Sequence, residues 1–396
     1  MPPVIFRKGL DMKEAVASEL AAAYHSKIVD AVREGGFTRH SGRLTVFLAR
    51  EFGFCYGVDR AVDYAYQTRK RFPEKRVFLT GEIIHNPHVN DRLRAQGIRI
   101  LTDPGEDATA LGAEDVVILP AFGVSIGELA RLERQGCTLV DTTCGSVLNV
   151  WKNVRRYAQD GFTAVIHGKV QHEETRATAS QATQFPGGQY VIVRDEPEAA
   201  LVCDFVRQGG DGPAFIAKFG ESVSPGFDPA RDLARVGCAN QTTMLMSESL
   251  SIGEMLRQAM IERYGAADLT AHFRAFDTIC SATQERQDAV VRLLDEQPLD
   301  LVVVIGGYNS SNTCNLARIC ADRVPTFHIA DPACLVSAGE IRHRPIGQPS
   351  TAAVAGAVTR NWLPDGTLRV GLTAGASTPN NIVGEVIERL EALAQG

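Results

Sequence analysis

The sequence lacks the signals that mark several large classes of protein. No apolar run among its 396 residues is long enough to span a bilayer, and the N-terminal stretch carries early acidic residues instead of the apolar core of a signal peptide. The net charge of −6 gives no support for nucleic acid as the main partner. We therefore expect a cytoplasmic protein whose principal partner is neither a membrane nor a nucleic acid.

Several motifs for bound cofactors are also absent. Nothing matches the phosphate loop G-x-x-x-x-G-K-S/T, and no strand leads into G-x-G-x-x-G, so a tightly held nicotinamide or flavin is not indicated. There is no Cys-x-x-Cys pair, which argues against a zinc ribbon. In a cytoplasmic chain the nine cysteines are expected to be thiols or ligands, and any electrons would come from an external carrier.

One pattern dominates the chain from residue 43 onward. An apolar run of strand length ends at a glycine or a small polar cluster, and a helical pattern follows. Such continuous apolar runs are typical of parallel strands that are buried on both faces and connected by helices. We predict an α/β fold of three similar units, at residues 44–144, 145–276 and 277–396, after a charged, mostly helical N-terminal extension at residues 1–43.

Three cysteines occupy the same local setting. Cys55, Cys144 and Cys280 each follow a strand pattern and precede a helical one. The unpaired N–H groups and the dipole at a helix start favour a thiolate. Three converging thiolates would leave one position of a metal centre open to substrate, whereas structural sites are usually closed by four ligands. Position alone leaves open the alternative that all three are inert buried cysteines, with Cys314 as a weaker rival ligand.

Two polar clusters rich in histidine lie just after predicted strands, where ligands bind in parallel sheets. Residues 81–88 contain His85, and residues 166–175 contain His172 together with a lysine and two carboxylates. Imidazoles titrate near neutrality and can bind anions or move protons. A single surface histidine is more often an ordinary solvated residue, so two such clusters favour a functional site only weakly.

Further clusters supply neutral donors at strand ends. Residues 306–313 contain two glycines, two serines and two asparagines, which suit phosphate oxygens and exceed what a helix cap needs. Residues 373–379 place another hydroxyl at a helix start, whereas residues 240–243 are equally consistent with an ordinary N-terminal cap. Together with the histidines, these groups suit a diphosphate held next to a second group.

These motifs, in this order, resemble one enzyme family. The matching segments are GFCYGVDRA, GEIIHNPHVNDRL, DTTCGSV, HGKVQHEETRATAS, QTTM, CSATQERQDA, GGYNSSNT and LTAGASTP. They cover residues 47–383 and resemble 4-hydroxy-3-methylbut-2-enyl diphosphate reductase, the last enzyme of the methylerythritol phosphate route to isoprenoids. The N-terminal extension and the segments HEET and PAFG are similar to the branch found in cyanobacteria and plant plastids.

The resemblance implies a reaction and the residues that carry it. The enzyme would remove the substrate hydroxyl with two electrons from an external donor such as ferredoxin or flavodoxin, and would form isopentenyl and dimethylallyl diphosphate. One 4Fe-4S cluster would lie at the centre of the three units, around a pseudo-threefold axis, with its fourth iron facing the substrate. Glu174 would be the proton relay, and Thr242 would help to position it. The residues implied as cluster ligands are Cys55, Cys144 and Cys280, and those implied as diphosphate ligands are His85, His172, Ser310, Ser311, Asn312 and Ser377.

The chain departs from the family pattern at one position. Many members have Ala-His-Gly where this sequence has Ala121, Phe122 and Gly123, so the substrate contact of that histidine is not assigned to Phe122. A second expectation concerns Glu173. It should point away from Glu174, because neighbouring residues in an extended loop alternate.

Two other interpretations remain open at the level of sequence. A lyase or dehydratase with a three-cysteine cluster, such as quinolinate synthase, also has three α/β units but lacks the histidines and the Ser-Ser-Asn set found here. An iron–sulfur sensor or scaffold would have no use for a phosphate cradle at residues 309–313. Assays for isopentenyl diphosphate formation and for diphosphate binding distinguish these interpretations.

Overall fold

A computed structural model describes residues 4–276, 279–348 and 356–395. The elements up to residue 144 are β1 (Ile5–Phe6), α1 (Lys13–Tyr24), α2 (Lys27–Glu34), β2 (Thr38–Ser41), β3 (Leu44–Leu48), α3 (Tyr56–Arg71), β4 (Val77–Leu79), α4 (Pro87–Ala95), β5 (Ile98–Ile100), a 3₁₀ turn (Ala108–Ala110), β6 (Val116–Leu119), α5 (Ile126–Gln135) and β7 (Thr138–Asp141).

The middle part of the chain continues the alternation of helices and strands. Its elements are α6 (Gly145–Gln159), β8 (Thr163–His167), α7 (Glu173–Ala182), β9 (Tyr190–Val193), α8 (Glu196–Gln208), α9 (Gly212–Phe219), a 3₁₀ turn (Gly220–Ser222), α10 (Pro229–Asp232), β10 (Val236–Asn240), α11 (Met246–Tyr264), α12 (Leu269–His272) and β11 (Phe273–Ala275).

The last part begins at the third of the cysteine-capped helices. Its elements are α13 (Ser281–Glu296), β12 (Leu301–Ile305), α14 (Ser311–Ala321), β13 (Thr326–Ile329), a 3₁₀ turn (Pro332–Cys334), β14 (Leu335–Ser337), β15 (Glu340–His343), β16 (Ala357–Arg360), β17 (Leu368–Ala374) and α15 (Asn380–Gln395). Across the ranges that the structure describes, none of the helices has the length and apolarity that a membrane crossing requires.

Three sheets organise the molecule. Their strand orders are β1-β7-β6-β4-β5, β11-β10-β8-β9 and β13-β12-β17-β3-β2, and the described strands within them pair in parallel except for β2 with β3. Every residue of the inner strands β6, β8 and β12 is buried, as expected where helices cover both faces of a sheet. The prediction of an α/β fold with mainly parallel sheets is confirmed.

The strand that precedes Cys55 belongs to a different sheet from the one that its sequence position suggests. β3 pairs with β17, from Leu44 opposite Leu368 to Leu48 opposite Leu372, so it is part of the third sheet. The predicted unit of residues 44–144 therefore includes a strand of the third unit. An apolar run indicates that a strand is buried but not which distant strand it pairs with. The predicted boundary at residue 277 lies outside the described residues.

The chain passes from one sheet to the next at each of the three cysteines. Cys55 lies between β3 of the third sheet and the first unit, Cys144 lies between β7 of the first sheet and the second unit, and Cys280 lies between β11 of the second sheet and the third unit. Since ligand-binding residues in parallel sheets lie beyond the carboxyl ends of the strands, these three crossovers place the thiols at the functional edge of each sheet.

The N-terminal extension contains two strands in addition to its helices. α1 and α2 are helical as predicted, but β1 extends the first sheet beside β7, and β2 covers the edge of the third sheet beside β3. The start of α2 packs closely on α15, where a Cβ atom at Gly384 would lie 2.1 Å from Ser26 Oγ. The extension therefore contacts both the first and the third unit.

A small antiparallel sheet of β14, β15 and β16 is an addition that the sequence pattern did not predict. Its strands are three or four residues long, and the exposure of the side chains alternates along β15 and β16. The strands are too short to produce a clear period-two signal in the sequence. This sheet packs on the third unit through Leu335 and Ile341.

Candidate active site

Each of the three cysteines caps a helix. Cys55, Cys144 and Cys280 have extended backbone dihedrals and stand immediately before α3, α6 and α13. The backbone N–H groups of Gly57 and Val58 at the start of α3 lower the pKa of the Cys55 thiol, against the larger effect of burial. The N–H and Oγ1 groups of Thr283 contact Cys280 Sγ at 3.3 and 3.0 Å. The local strand–cysteine–helix pattern predicted from the sequence is confirmed, and its free N–H groups favour thiolates.

The start of α3 lies against the second cysteine. A Cβ atom at Gly57 would be 2.5 Å from Cys144 Sγ and 4.0 Å from Cys55 Sγ, so a glycine is required for this approach. One turn further along α3, Arg60 Nη2 donates to the carbonyl of Thr143 at 2.9 Å. The helix that follows one cysteine is thereby fixed to the loop that presents the next.

Arg286 joins the Cys55 loop to the helix that follows Cys280. Its side chain is buried, and its guanidinium donates to the carbonyl of Gly53 at 2.7 and 3.2 Å and to that of Phe54 at 3.2 Å. In the sequence this arginine is one of several polar residues on an amphipathic helix. Nothing in the pattern indicates that it lies inside the molecule and positions the neighbouring cysteine.

The set of donors fits a thiolate-bound metal centre. Burial raises the pKa of the Cys55 thiol, with smaller opposing effects from the backbone N–H groups and Arg286. Burial likewise raises the pKa of Cys280 to about 11, opposed by hydrogen bonds from Thr283. Thiolates are the species that bind metals, so a bound cation would displace the protons that burial retains. Soft sulfur donors of this kind suit iron–sulfur clusters.

A single cavity brings together all of the site residues that the family resemblance implied. Cys55, Cys144 and Cys280 line it, and among the described residues no fourth cysteine does. The rival ligand Cys314 is elsewhere, with its sulfur 3.6 Å from the carbonyl of Tyr308. The other predicted site residues that line the cavity are His85, His172, Glu174, Thr242, Ser310, Ser311, Asn312 and Ser377.

Glu174 is held in this cavity by Thr242. The carboxyl group is 1% exposed. It accepts the Thr242 N–H at 2.6 Å on Oε1 and the Thr242 hydroxyl at 3.1 Å on Oε2. Burial raises the pKa of Glu174 to about 7, and the two hydrogen bonds from Thr242 partly oppose this rise. A raised pKa is the predicted direction, but its largest cause is burial and not the repulsion from diphosphate on which the prediction rested.

Glu173 differs from the expectation for its position. Glu173 and Glu174 do not lie in an extended loop, because they form the first turn of α7 after the cap His172. Successive side chains on a helix are separated by about 100°, which turns one carboxylate inward and leaves the other 56% exposed. Glu173 Oε2 is 3.6 Å from His85 Nε2, so this carboxylate borders the histidine pair, although it does not line the cavity.

The two histidines form an ordered donor chain. His172 Nδ1 accepts the N–H of Glu174 at 3.2 Å, and burial lowers the pKa of His172 well below its usual value. The neutral ring therefore carries its proton on Nε2, 3.2 Å from His85 Nε2. His85 Nδ1 then donates to Glu82 at 3.0 Å. The His172 Nε2–H group can thus donate to an anion in the cavity instead of to His85.

Phe122 packs directly on this pair. Its ring is stacked on His85 with centroids 4.3 Å apart and planes inclined by 22°, and it meets the edge of His172 at 5.5 Å. Such contacts hold the plane of an imidazole. The position that departs from the family pattern is therefore occupied by an aromatic group that orients two predicted diphosphate ligands.

The third unit supplies neutral donors to the cavity. Asn312 Oδ1 accepts the Ala376 N–H at 3.0 Å, whereas its Nδ2 is buried and has no partner in the described part of the chain. Ser377 Oγ donates to the carbonyl of His85 at 3.1 Å. A buried donor without an acceptor is costly, so the amide of Asn312 is placed for a ligand.

A lysine lies behind this donor set. Lys169 Nζ donates to Ser311 Oγ at 2.9 Å, and Gln241 Nε2 approaches the same oxygen at 3.3 Å. Burial lowers the pKa of Lys169. The sequence places Lys169 only in a polar loop and does not indicate that its charge lies beside Ser311. Residues 240–243 are equally consistent with a helix cap in the sequence, so the contact of Gln241 with Ser311 is not predicted either.

Comparison with known proteins identifies the family. A family model described as LytB protein matches residues 46–391. The chain belongs to the LytB family. Among curated LytB relatives, the 4-hydroxy-3-methylbut-2-enyl diphosphate reductase of Gloeobacter violaceus (strain ATCC 29082 / PCC 7421) is 50% identical and covers 97% of this chain and 91% of its own length. The reductase of the same name from Synechococcus sp. (strain RCC307) is 48% identical, over 98% of this chain and 94% of its own.

Solved structures agree with the LytB fold. One, described as (E)-4-hydroxy-3-methyl-but-2-enyl diphosphate reductase, the terminal enzyme of the non-mevalonate pathway, is 25% identical with a TM-score of 0.52 and covers 88% of this chain and 99% of its own. The reductase from Plasmodium falciparum is 20% identical with a TM-score of 0.62 and coverage of 87% and 86%, and it supports the fold alone. The resemblance inferred from the motifs is confirmed.

Proposed function

We propose that this LytB-family chain is a reductase that converts 4-hydroxy-3-methylbut-2-enyl diphosphate into isopentenyl and dimethylallyl diphosphate, within the methylerythritol phosphate pathway. The observation that carries the proposal is one cavity that contains three cysteine thiols, a buried carboxyl group and a set of neutral hydrogen-bond donors. Relatives that match nearly the whole chain and bear the name of this reductase support the proposal.

One 4Fe-4S cluster is the cofactor that we propose for the cavity, held by Cys55, Cys144 and Cys280. With three thiolates, and no fourth cysteine among the described residues that line the cavity, one iron would have no protein ligand. When bound, the cluster supplies electrons and a Lewis acid for cleavage of the carbon–oxygen bond. The electrons come from an external carrier such as ferredoxin or flavodoxin, and we place the reaction in the cytoplasm.

The diphosphate is held by groups that already point into the cavity. His172 offers its Nε2–H group, and Asn312 offers an amide that has no acceptor among the residues that the structure describes. Ser310 and Ser311 add hydroxyls at the start of α14, and Ser377 adds one between β17 and α15. The charge of Lys169, which donates to Ser311, supports the binding of an anion. These groups bind the anionic end of the substrate and leave the hydroxyl end for the cysteine side of the cavity.

Glu174 holds one of the two protons that the reaction consumes together with two electrons, when the substrate hydroxyl leaves as water and a hydrogen is added to carbon. Thr242 fixes both carboxyl oxygens, so the acid keeps one orientation within the cavity. A pKa near 7 leaves a large fraction of the carboxyl group protonated at neutral pH. The surrounding burial excludes water, which keeps the proton available for substrate.

The decisive experiment is an anaerobic assay of the purified protein after reconstitution with iron and sulfide. The protein should convert 4-hydroxy-3-methylbut-2-enyl diphosphate into the two five-carbon diphosphates with dithionite as reductant, as measured by mass spectrometry. Diphosphate binding without product formation would instead favour an unrelated activity. Iron binding without diphosphate binding would favour a sensor or scaffold.

Asn312→Ala should weaken the binding of diphosphate. The variant removes a buried donor that has no partner in the described structure, and a hydrogen bond to a charged group contributes roughly 1.5–3 kcal/mol. We therefore expect the Michaelis constant and the inhibition constant of inorganic diphosphate to rise about tenfold or more. The measurement is steady-state kinetics with and without inorganic diphosphate.

A matched control for this prediction is Asn381→Ala. Asn381 lies at the start of α15 and donates to Glu385 at 3.3 Å, outside the cavity. The Asn381→Ala variant should leave the Michaelis constant and the inhibition constant of diphosphate within experimental error of the wild-type values. Unchanged inhibition by diphosphate in Asn312→Ala would remove Asn312 from the binding site.

A further inference from the structure

Electrons must enter this site through the protein surface. The reduction consumes two electrons, and the sequence contains no motif for a tightly held nicotinamide or flavin that would store them. Cys55, Cys144 and Cys280 are neither fully buried nor fully exposed. A carrier would therefore approach the surface that adjoins these cysteines, and the charge and polarity of that surface determine which carrier binds.

Helix α6, which begins directly after Cys144, differs in charge from the rest of the chain. It carries three cations, Lys152, Arg155 and Arg156, and no acidic residue, although the whole protein has a net charge of −6. Arg155 turns toward α7 and donates to Gln181 at 2.7 Å. Lys152 and Arg156 are exposed, and with Leu148 they follow one another at helical spacing along a single face.

Two large side chains are exposed at the cysteine end of this surface. Tyr56 is 80% exposed in the first turn of α3, and Leu148 is 44% exposed in the first turn of α6. The two helix starts are neighbours, because Gly57 of α3 contacts Cys144. Neighbouring apolar groups that are rimmed by polar residues mark surfaces that bind protein partners, whereas single exposed apolar residues do not.

We propose that an acidic one-electron carrier protein docks on the surface formed by Tyr56, Leu148, Lys152 and Arg156. This inference rests on the proposed function and extends it to the partner. Tyr56 and Leu148 contact the carrier next to two of the cysteines, while Lys152 and Arg156 attract its acidic surface. On α3, the neighbours Asp59 and Arg60 carry opposite charges. Asp160, four residues after Arg156, is paired with Arg274, so Lys152 and Arg156 supply the net positive charge of this surface.

The positions of Lys152 and Arg156 suit a transient complex with the carrier. At 1.5 Å of rise per residue, Lys152 lies about 12 Å and Arg156 about 18 Å along the helix axis from Cys144. Complexes of electron carriers bury little surface, so two apolar contacts and two cations are sufficient. Surface cations of this kind raise the rate of association with an acidic partner and make that rate sensitive to salt.

The test compares two reductants in the same holoenzyme. The double variant Lys152→Glu, Arg156→Glu is assayed with a plant-type 2Fe-2S ferredoxin and, separately, with dithionite. With subsaturating ferredoxin at low salt, we expect turnover to fall at least about tenfold and its salt dependence to weaken, while the dithionite rate stays unchanged. Lys70→Glu reverses one charge at the opposite end of α3, and this control should equal the wild type in both assays.

Each other result contradicts the inference. An equal loss with both reductants would show that the substitutions damage the site and not the docking of the carrier. Full activity with ferredoxin would show that the carrier binds elsewhere, as would an equal loss in Lys70→Glu. A wild type that is inactive with dithionite would refute the proposed function, and this inference with it.

Discussion

Replacing Cys55, Cys144 or Cys280 with serine should abolish the brown chromophore and the stable retention of iron. Each cysteine caps a helix, and all three line one cavity in which no fourth cysteine is present among the described residues. A cluster bound by three thiolates has no spare protein ligand, so the loss of any one leaves it with two. We expect product formation to fall below detection in each variant, measured together with iron content and the visible spectrum under anaerobic conditions.

Two cysteines outside the cavity provide the controls. Cys137→Ser should keep the chromophore, because Cys137 is buried within the first unit, and Cys314→Ser should do the same. Normal iron content in the variants of Cys55, Cys144 and Cys280 would contradict the assignment of the ligands. Loss of iron in Cys314→Ser alone would make that residue the ligand. Exposure of the wild type to air should also bleach the cluster, since an iron without a protein ligand is easily lost.

The cysteine positions were predictable because their signal is local. A short apolar run, a turn and an amphipathic stretch lie within about twenty residues of one another, and each part restricts the next. The sheet to which the first strand belongs was not predictable in this way. Leu44–Leu48 pairs with a strand more than 300 residues later, and its apolar pattern suits a strand of either unit equally well.

The side chains that support the site were harder to predict than the residues that line it. Arg286 looks like a solvent-exposed residue on a polar helix face until the packing of α13 against the Cys55 loop is known. Phe122 could be recognised as a departure from the family pattern, but its stacking on His85 depends on a loop from another part of the unit. Such contacts result from tertiary packing and leave no periodic signal in the sequence.

Glu174→Gln should retain the cluster and bind substrate, yet turn over at least about a hundredfold more slowly, the usual scale for the loss of a general acid. The glutamine can still accept the Thr242 N–H and contact its hydroxyl, so the geometry around the substitution is preserved. It cannot deliver a proton. Anaerobic single-turnover and steady-state rates, together with iron content, separate the loss of the proton from the loss of the cluster.

Glu173→Gln is the matched control, since it makes the same change in the adjacent carboxylate. Glu173 is largely exposed at the edge of the histidine pair, so its variant should alter the Michaelis constant more than the turnover number. The reverse order of effects, or near-full turnover in both variants, would reassign the relay, with His172 as the next candidate.

The pH dependence provides a second measurement on the same residue. Because the pKa of Glu174 is raised to about 7, the wild-type turnover should fall as the pH rises above about 7, whereas the residual activity of Glu174→Gln should lack this step.

The stability of the folded protein should also depend on the protonation of Glu174. The folded carboxyl binds its proton more tightly than an ordinary glutamate of pKa 4.5, so its contribution to stability is complete below that pH and is lost as the pH rises through about 7. We therefore expect the free energy of unfolding of the wild type to fall between pH 4.5 and about 7, relative to that of Glu174→Gln. The measurement is urea denaturation of the two cluster-free proteins. Parallel curves for the two proteins would show that the carboxyl group does not titrate near neutrality.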